Sequence, residues 1–338
     1  MYSQEEIDSA IEAGVLNQET AQALREHVEG LRKLSNEDEP FRLIVGFNDV
    51  FVVIACLLLL GAVCVLGASL SPWVGAVATA GASWGLGECF VRRRRMALPA
   101  VVLSLAFLGA VAFLGGALLG AFAVVAFHAG KEGQTAATSL GMAIGAVLAA
   151  WWHWRRFRTP ITVAAGTGAV LGVILFLLIP LIKDYWPVFL FVAGCGTFAL
   201  AMAWDARDMA RTGYQSDVAF WLHLLAAPLL VHPVFNLVGL MTATEIHVGQ
   251  ALAVLVLYLL IALCSLAIDR RALMVSALGY VLYTLSAWIN QSRFISDSFA
   301  LTALVMSTAL LTLSMFWHPC RVAVMRLLPR WLARRLPA

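Results

Sequence analysis

Four consecutive arginines, Arg92, Arg93, Arg94 and Arg95, separate two apolar runs at residues 73–90 and 96–127. Guanidinium groups are too strongly hydrated to rest in hydrocarbon, and short basic loops between membrane spans resist translocation. The cluster therefore caps a helical hairpin whose arms both run into a bilayer. It sets the alternation of every other span.

Composition agrees. Of 338 residues 61% are hydrophobic and 13% charged, against about 25% charged in a soluble domain. The net charge of +3 conceals a division: residues 1–41 carry ten of the twenty acidic side chains and three of the twenty-three basic ones. The basic remainder, gathered in a few turns, suits the anionic inner surface of a membrane and its lipids better than nucleic acid. The first forty residues are polar and lack the apolar run of a secretory signal. The six cysteines lie in apolar runs or at their basic ends without a C-x-x-C pair, so neither a disulfide nor a metal site is expected.

Residues 1–41 read as an acidic helical hairpin and linker. Ser3 and Glu6 have capping-box spacing, Gly14 suits a helix C-cap and Asn17 an N-cap. Ile7, Ile11, Leu16, Ala21, Leu24, Val28 and Leu31 form its apolar face. Two such short helices bury little alone, which invites a protein partner, self-association or the membrane surface.

From residue 42 to 317 the chain reads as a transmembrane bundle. Runs near the length needed to cross hydrocarbon as helix fall at 49–70, 73–91, 97–120, 136–154, 161–182, 187–204, 218–240, 250–268, 273–290 and 300–317. The third extends apolar to Phe127, so its helix is expected to be long, tilted or bent. With both termini inside, the inner segments hold 20 of the 23 Lys and Arg, leaving Lys131, Lys183 and Arg293 outside. The expectation is an all-α integral membrane protein of about ten transmembrane helices, both termini cytoplasmic. Its topology and lipid anchors are Arg92, Arg93, Arg94, Arg95, Arg155, Arg156, Arg158, Arg270 and Arg271. Residues 318–338 form a basic tail expected to lie along the inner leaflet. G-x-x-x-G pairs at Gly81/Gly85, Gly116/Gly120, Gly141/Gly145 and Gly168/Gly172 mark expected close helix contacts.

Few ionisable groups fall inside the spans, and each is a candidate site because burial in lipid is unfavourable. Glu88 stands four residues before Arg92 and can pair with it along a helix. His223 lies six residues after Asp217, roughly 9 Å into the seventh span, at a depth where a Glu88–His223 pair would form a proton site. Pro228 and the His232-Pro233 step are expected to break that span before Asn236, and broken helices line cavities in transporters. Glu88, His223, Pro228, His232 and Asn236 are thus the candidate intramembrane polar site. Glu245 and His247, with His232 or Asp297, have no spacing that suits a helical ligand pair. No metal, cofactor or catalytic residue is expected.

Gly81-Ala82-Ser83-Trp84-Gly85 matches the G-x-S-x-G of hydrolases, but mid-helix rather than on a strand-to-helix turn. Its Gly-Ala-Ser resembles the serine motif of rhomboid intramembrane proteases over three residues, with no Gly-His pair in a later span to act as base. Residues 3–32, with Glu12-Ala13-Gly14-Val15-Leu16 between two short helices and apolar spans following, resemble the N-terminal segment of bacterial multi-pass membrane proteins of unknown function. That resemblance implies a bacterial cytoplasmic membrane and carries over no functional residue. Three functions follow as expectations: a carrier or channel for a small neutral or apolar substrate; a non-catalytic accessory or scaffold subunit that docks a partner through residues 1–41; and, more remotely, an intramembrane hydrolase.

Overall fold

A computed structural model describes residues 9, 11, 13–24, 47–182, 185–208, 213–237, 239, 247–291 and 298–328. The chain divides into two compact units, Met1–Phe41 and Arg42–Ala338.

In the first unit two of the expected caps are present, those at Gly14 and Asn17, while Ser3 and Glu6 lie outside the described residues. Gly14 adopts φ +70°, a left-handed conformation that costs glycine least. Asn17 Oδ1 accepts the Thr20 amide at 2.7 Å, opening the helix that carries the buried Ala21.

The second unit contains no strand among its described residues. Its helices are α1 (Phe47–Leu70), α2 (Pro72–Gly87), α3 (Ala97–Phe127), α4 (Lys131–Phe157), α5 (Ile161–Ile182), α6 (Trp186–Asp205), α7 (Tyr214–Leu237), α8 (Val248–Ile268), α9 (Ala272–Gln291), α10 (Ser298–Met315) and α11 (Trp317–Leu327). Among the described residues eight helices are long and apolar enough to cross a membrane, and α10 with α11, bent by 77°, makes a ninth candidate. The second expected span, 73–91, is not among them: its helix α2 has only 16 residues before a π-helical turn, Glu88–Arg93, carries the chain into the arginine cluster. Helix α3 is unbroken over 31 residues. Large apolar side chains such as Leu58, Val65, Leu177, Leu259 and Leu311 are exposed along successive helices. So much uncovered apolar surface needs lipid around it. The protein is a multi-pass, all-α membrane protein.

Packing follows the sequence periodicity. Val52, Cys56 and Leu60, one helical turn apart on α1, meet Leu103 of α3. Residues of α7, α8 and α9, joined by Met306 and Trp317, make a second core around Phe235, Val254, Tyr258 and Val281. Helices α3 and α4 approach each other closely. A Cβ on Gly115 would stand 2.5 Å from the Gly141 carbonyl oxygen, and one on Gly145 would stand 2.9 Å from that of Val111. Gly116 and Gly120 meet Thr138 across the same seam. Gly168 makes only an ordinary contact with Leu225, and among the described residues nothing stands against Gly81, Gly85 or Gly172. Spacing of small residues alone therefore does not tell a packed face from a lipid-facing one.

The basic turns gather at one end of the bundle. Glu88, beside the arginine cluster, accepts from Arg156 Nε at 2.5 Å and Arg156 Nη2 at 2.9 Å, which joins the α2–α3 and α4–α5 turns. Trp154, Ala164, Ala201, Trp204, Val218 and Leu222 cluster together, bringing the α4–α5 and α6–α7 turns to that end. Several arginines stack on an aromatic ring three or four residues earlier in the chain: Arg94 on Phe90 (5.9 Å), Arg155 on Trp151 (5.1 Å), Arg158 on Trp154 (5.9 Å) and Arg207 on Trp204 (5.2 Å). The aromatic face shields the stem while the cationic head stays near water.

A buried charge cluster as candidate functional site

The seventh span decides how the expected polar site is built. It is not broken: α7 runs continuously through Pro228 and Pro233. A proline removes one backbone hydrogen bond and bends a helix, and packing in a membrane bundle absorbs that loss. Leu224 and Pro228, one turn apart, are both exposed, while Ala219, Leu222, His223, Ala226 and Ala227 are fully buried. Pro228 thus sits on the outer stripe of α7, and the inner stripe is close-packed.

What α7 packs against is charged. Arg270 is 2% exposed, Asp205 1% and His223 0%. The α8–α9 turn produces this arrangement. Asp269 takes φ 55°, reversing the chain after α8. The Arg270 amide then bonds the Ser265 carbonyl at 3.0 Å, and the Ser265 hydroxyl donates to the Arg270 carbonyl. The backbone at Arg270 is thereby fixed and its side chain directed inward. Arg270 Nη2 donates to Asp205 Oδ1 at 2.5 Å, and Nε reaches Oδ2 at 3.4 Å. Nη2 also lies 3.3 Å from Ser216 Oγ and 3.4 Å from its carbonyl. His223 Nε2 donates to Asp205 Oδ2 at 3.1 Å, and its ring meets Phe198 edge-on at 5.2 Å. One carboxylate at the end of α6 thus holds a guanidinium from the α8–α9 turn and an imidazole from α7. The fork geometry suits arginine and would be lost with lysine.

Chemically, a carboxylate between an imidazole and a guanidinium could orient a general base. Here every participant is enclosed, so the cluster ties three helices together at the basic end. Arg270, expected as a lipid anchor, is too deeply buried to meet headgroups, whereas Arg92, Arg93, Arg94, Arg95, Arg155, Arg156 and Arg158 are exposed and Arg271 is half-buried.

The other candidates lie elsewhere. Glu88 accepts from Arg92 at 3.3 Å, as its spacing suggests, and from Arg156, so it forms no pair with His223. His232 lies nine residues beyond His223, roughly 13 Å along the helix. Its Nδ1 shares a 2.5 Å hydrogen bond with Tyr280, whose ring stacks on Phe235 at 4.7 Å. Asn236 is half-buried, and its carbonyl accepts the Gly239 amide at 2.8 Å where α7 ends. His247 caps α8 in a capping box with Gln250, while Glu245 and Asp297 lie outside the described residues. The Ser83 hydroxyl donates to the Thr79 and Ala80 carbonyls of its own helix.

Two buried groups are not evident from the sequence. Asp205 falls in an inner loop by hydropathy, although an acid closing one span and an arginine closing another are a natural pair. His153 is almost fully buried among Trp84, Phe107 and Phe157, with ring centroids at 6.3, 5.7 and 4.6 Å. Its Nδ1 has no hydrogen-bond partner among the described residues. A buried polar atom without a partner costs about 1–3 kcal/mol. His153→Leu is therefore expected to keep or raise the unfolding midpoint in mixed micelles; a loss of several degrees would show that the imidazole is needed. No known family model, curated protein or solved structure matches this chain.

Proposed function

We propose that this protein is a non-catalytic scaffold or accessory subunit of a bacterial cytoplasmic membrane. It has about ten spans, cytoplasmic termini and an acidic N-terminal hairpin that docks a partner. The observation that carries this reading is the sealed inner stripe of α7, where His223 and its neighbours Asp205 and Arg270 are consumed in holding helices together. A carrier drew its support from a broken seventh span opening onto a cavity. With α7 continuous and Pro228 on the exposed stripe, that support passes to a rigid helical platform. The separate compactness of Met1–Phe41, its own caps and the exposed Val15 favour a docking module.

The test compares the full chain with residues 42–338, each purified in the same mild detergent. The full chain is expected to bring down one stoichiometric protein that the truncated chain lacks, while both insert equally. A full chain that purifies alone, or a partner retained without residues 1–41, would overturn the docking role. Accelerated solute entry into liposomes holding the purified protein would restore the carrier.

A further inference from the structure

Two of the basic turns meet with far more cation than acid. Residues 87–97 and 151–161 hold seven arginines and one carboxylate, Glu88. Glu88 Oε2 accepts from Arg92 Nη1 at 3.3 Å and from Arg156 Nη2 at 2.9 Å, so guanidinium groups of the two turns share one oxygen. Phe157 closes the seam beside them: its ring lies 5.0 Å from that of Trp84, and a Cβ on Gly87 would stand 3.1 Å from its Cζ. Glu88 is consumed by Arg92 and Arg156. Arg93, Arg94, Arg95, Arg155 and Arg158 are exposed and meet no carboxylate among the described residues.

Two of these arginines hold an unusual backbone. Arg95 has φ 52° and Arg158 φ 54°, each ending a helical segment in the left-handed region where glycine is the least costly residue. Residues kept in that region cluster at ligand clamps and switch segments. The direction of the side chains tells what they face. Arg155 stacks on Trp151 and Arg158 on Trp154, each four residues back toward the bundle. Trp151 and Trp152 are themselves exposed on the apolar flank of α4. The cations are thereby drawn to the level where lipid headgroups begin, rather than outward to a soluble acidic protein. One phosphate can satisfy the arginines of one turn. A second phosphate on the same molecule then reaches the other turn without a separate encounter, which favours a ligand carrying both.

We propose that the joined α2–α3 and α4–α5 turns bind a phospholipid with two phosphates in one headgroup, one phosphate on the Arg93–Arg95 turn and the other on Arg155 and Arg158. Glu88 lies between the halves as the chain's own anion and holds them side by side. The site is independent of the docking role of residues 1–41.

The test uses the full chain, delipidated in neutral detergent and titrated with diphosphatidylglycerol, phosphatidylglycerol, phosphatidylcholine, pyrophosphate or polyglutamate. Readouts are adducts in native mass spectrometry and the shift in unfolding midpoint. Diphosphatidylglycerol is expected to give one retained adduct and the largest rise in midpoint, with phosphatidylglycerol held at least about tenfold more weakly. Arg95→Gly and Arg158→Gly should each weaken retention about fivefold, yet keep or raise the lipid-free midpoint because glycine relieves the left-handed backbone. Arg155→Gln, inside α4, should give the same loss of retention without altering either turn. Arg326→Gln, on α11, should bind as the parent does. Equal retention of phosphatidylglycerol, an equal shift from pyrophosphate or polyglutamate, or a loss in Arg326→Gln matching that of Arg158→Gly would each overturn the site.

Discussion

Replacing Arg270 by Met while keeping Asp205 is expected to destabilise the protein by about 3–5 kcal/mol, because it strands a carboxylate in a closed interior. Asp205 is 1% exposed and its Oδ1 takes a 2.5 Å hydrogen bond from Arg270. The remaining partner, His223, can neutralise the charge only by carrying its own proton in an equally closed place. The double replacement Asp205→Leu with Arg270→Met should recover most of the loss, since exchanging a whole buried pair for apolar side chains is often neutral or favourable. Unfolding midpoints of the three proteins in mixed micelles check this. An Arg270→Met protein within about 1 kcal/mol of the parent would show that the pair is solvated after all.

The second large effect lies at the α3–α4 seam. Gly141 faces the Gly115 carbonyl oxygen so closely that any side chain would collide with backbone. Gly141→Val is therefore expected to cost about 3 kcal/mol or more, the upper range for overpacking, because two helices must separate to admit it. Gly81→Ala is the counterpart. Gly81 has the same G-x-x-x-G spacing, but among the described residues no neighbouring atom lies within 4 Å of where an added methyl would sit. Replacement there is expected to gain up to about 1 kcal/mol of helix propensity. Thermal unfolding of both variants separates the cases. A stable Gly141→Val protein would mean the two backbones do not meet.

The contrast marks how far residues alone can be read. The arginine turns are legible because desolvation of a guanidinium is large and local; no distant residue is needed to see that Arg92 to Arg95 must stay out of lipid. Helix positions follow, since apolar runs near twenty residues have few alternatives. The caps at Gly14 and Asn17 are legible for the same reason, being decided within four residues.

Pairing across the sequence is harder. Asp205 and Arg270 are 65 residues apart, and nothing in the local pattern of either tells whether it meets water, lipid or the other. The glycines fail similarly, since facing a neighbour and facing lipid leave the same spacing. Pro228 and Pro233 mislead because a proline's local preference says nothing of the tertiary packing that holds α7 straight enough to continue.

The gathering of basic turns at one end of the bundle carries the whole account, and cysteine accessibility in intact cells tests it most directly. In a chain stripped of its own cysteines, single replacements Arg93→Cys and Arg158→Cys at the basic end are compared with His128→Cys and Tyr185→Cys at the other. A membrane-impermeant thiol reagent is expected to label the second pair in intact cells and the first only after the membrane is opened. Labelling of Arg93→Cys in intact cells, with His128→Cys protected, would contradict it.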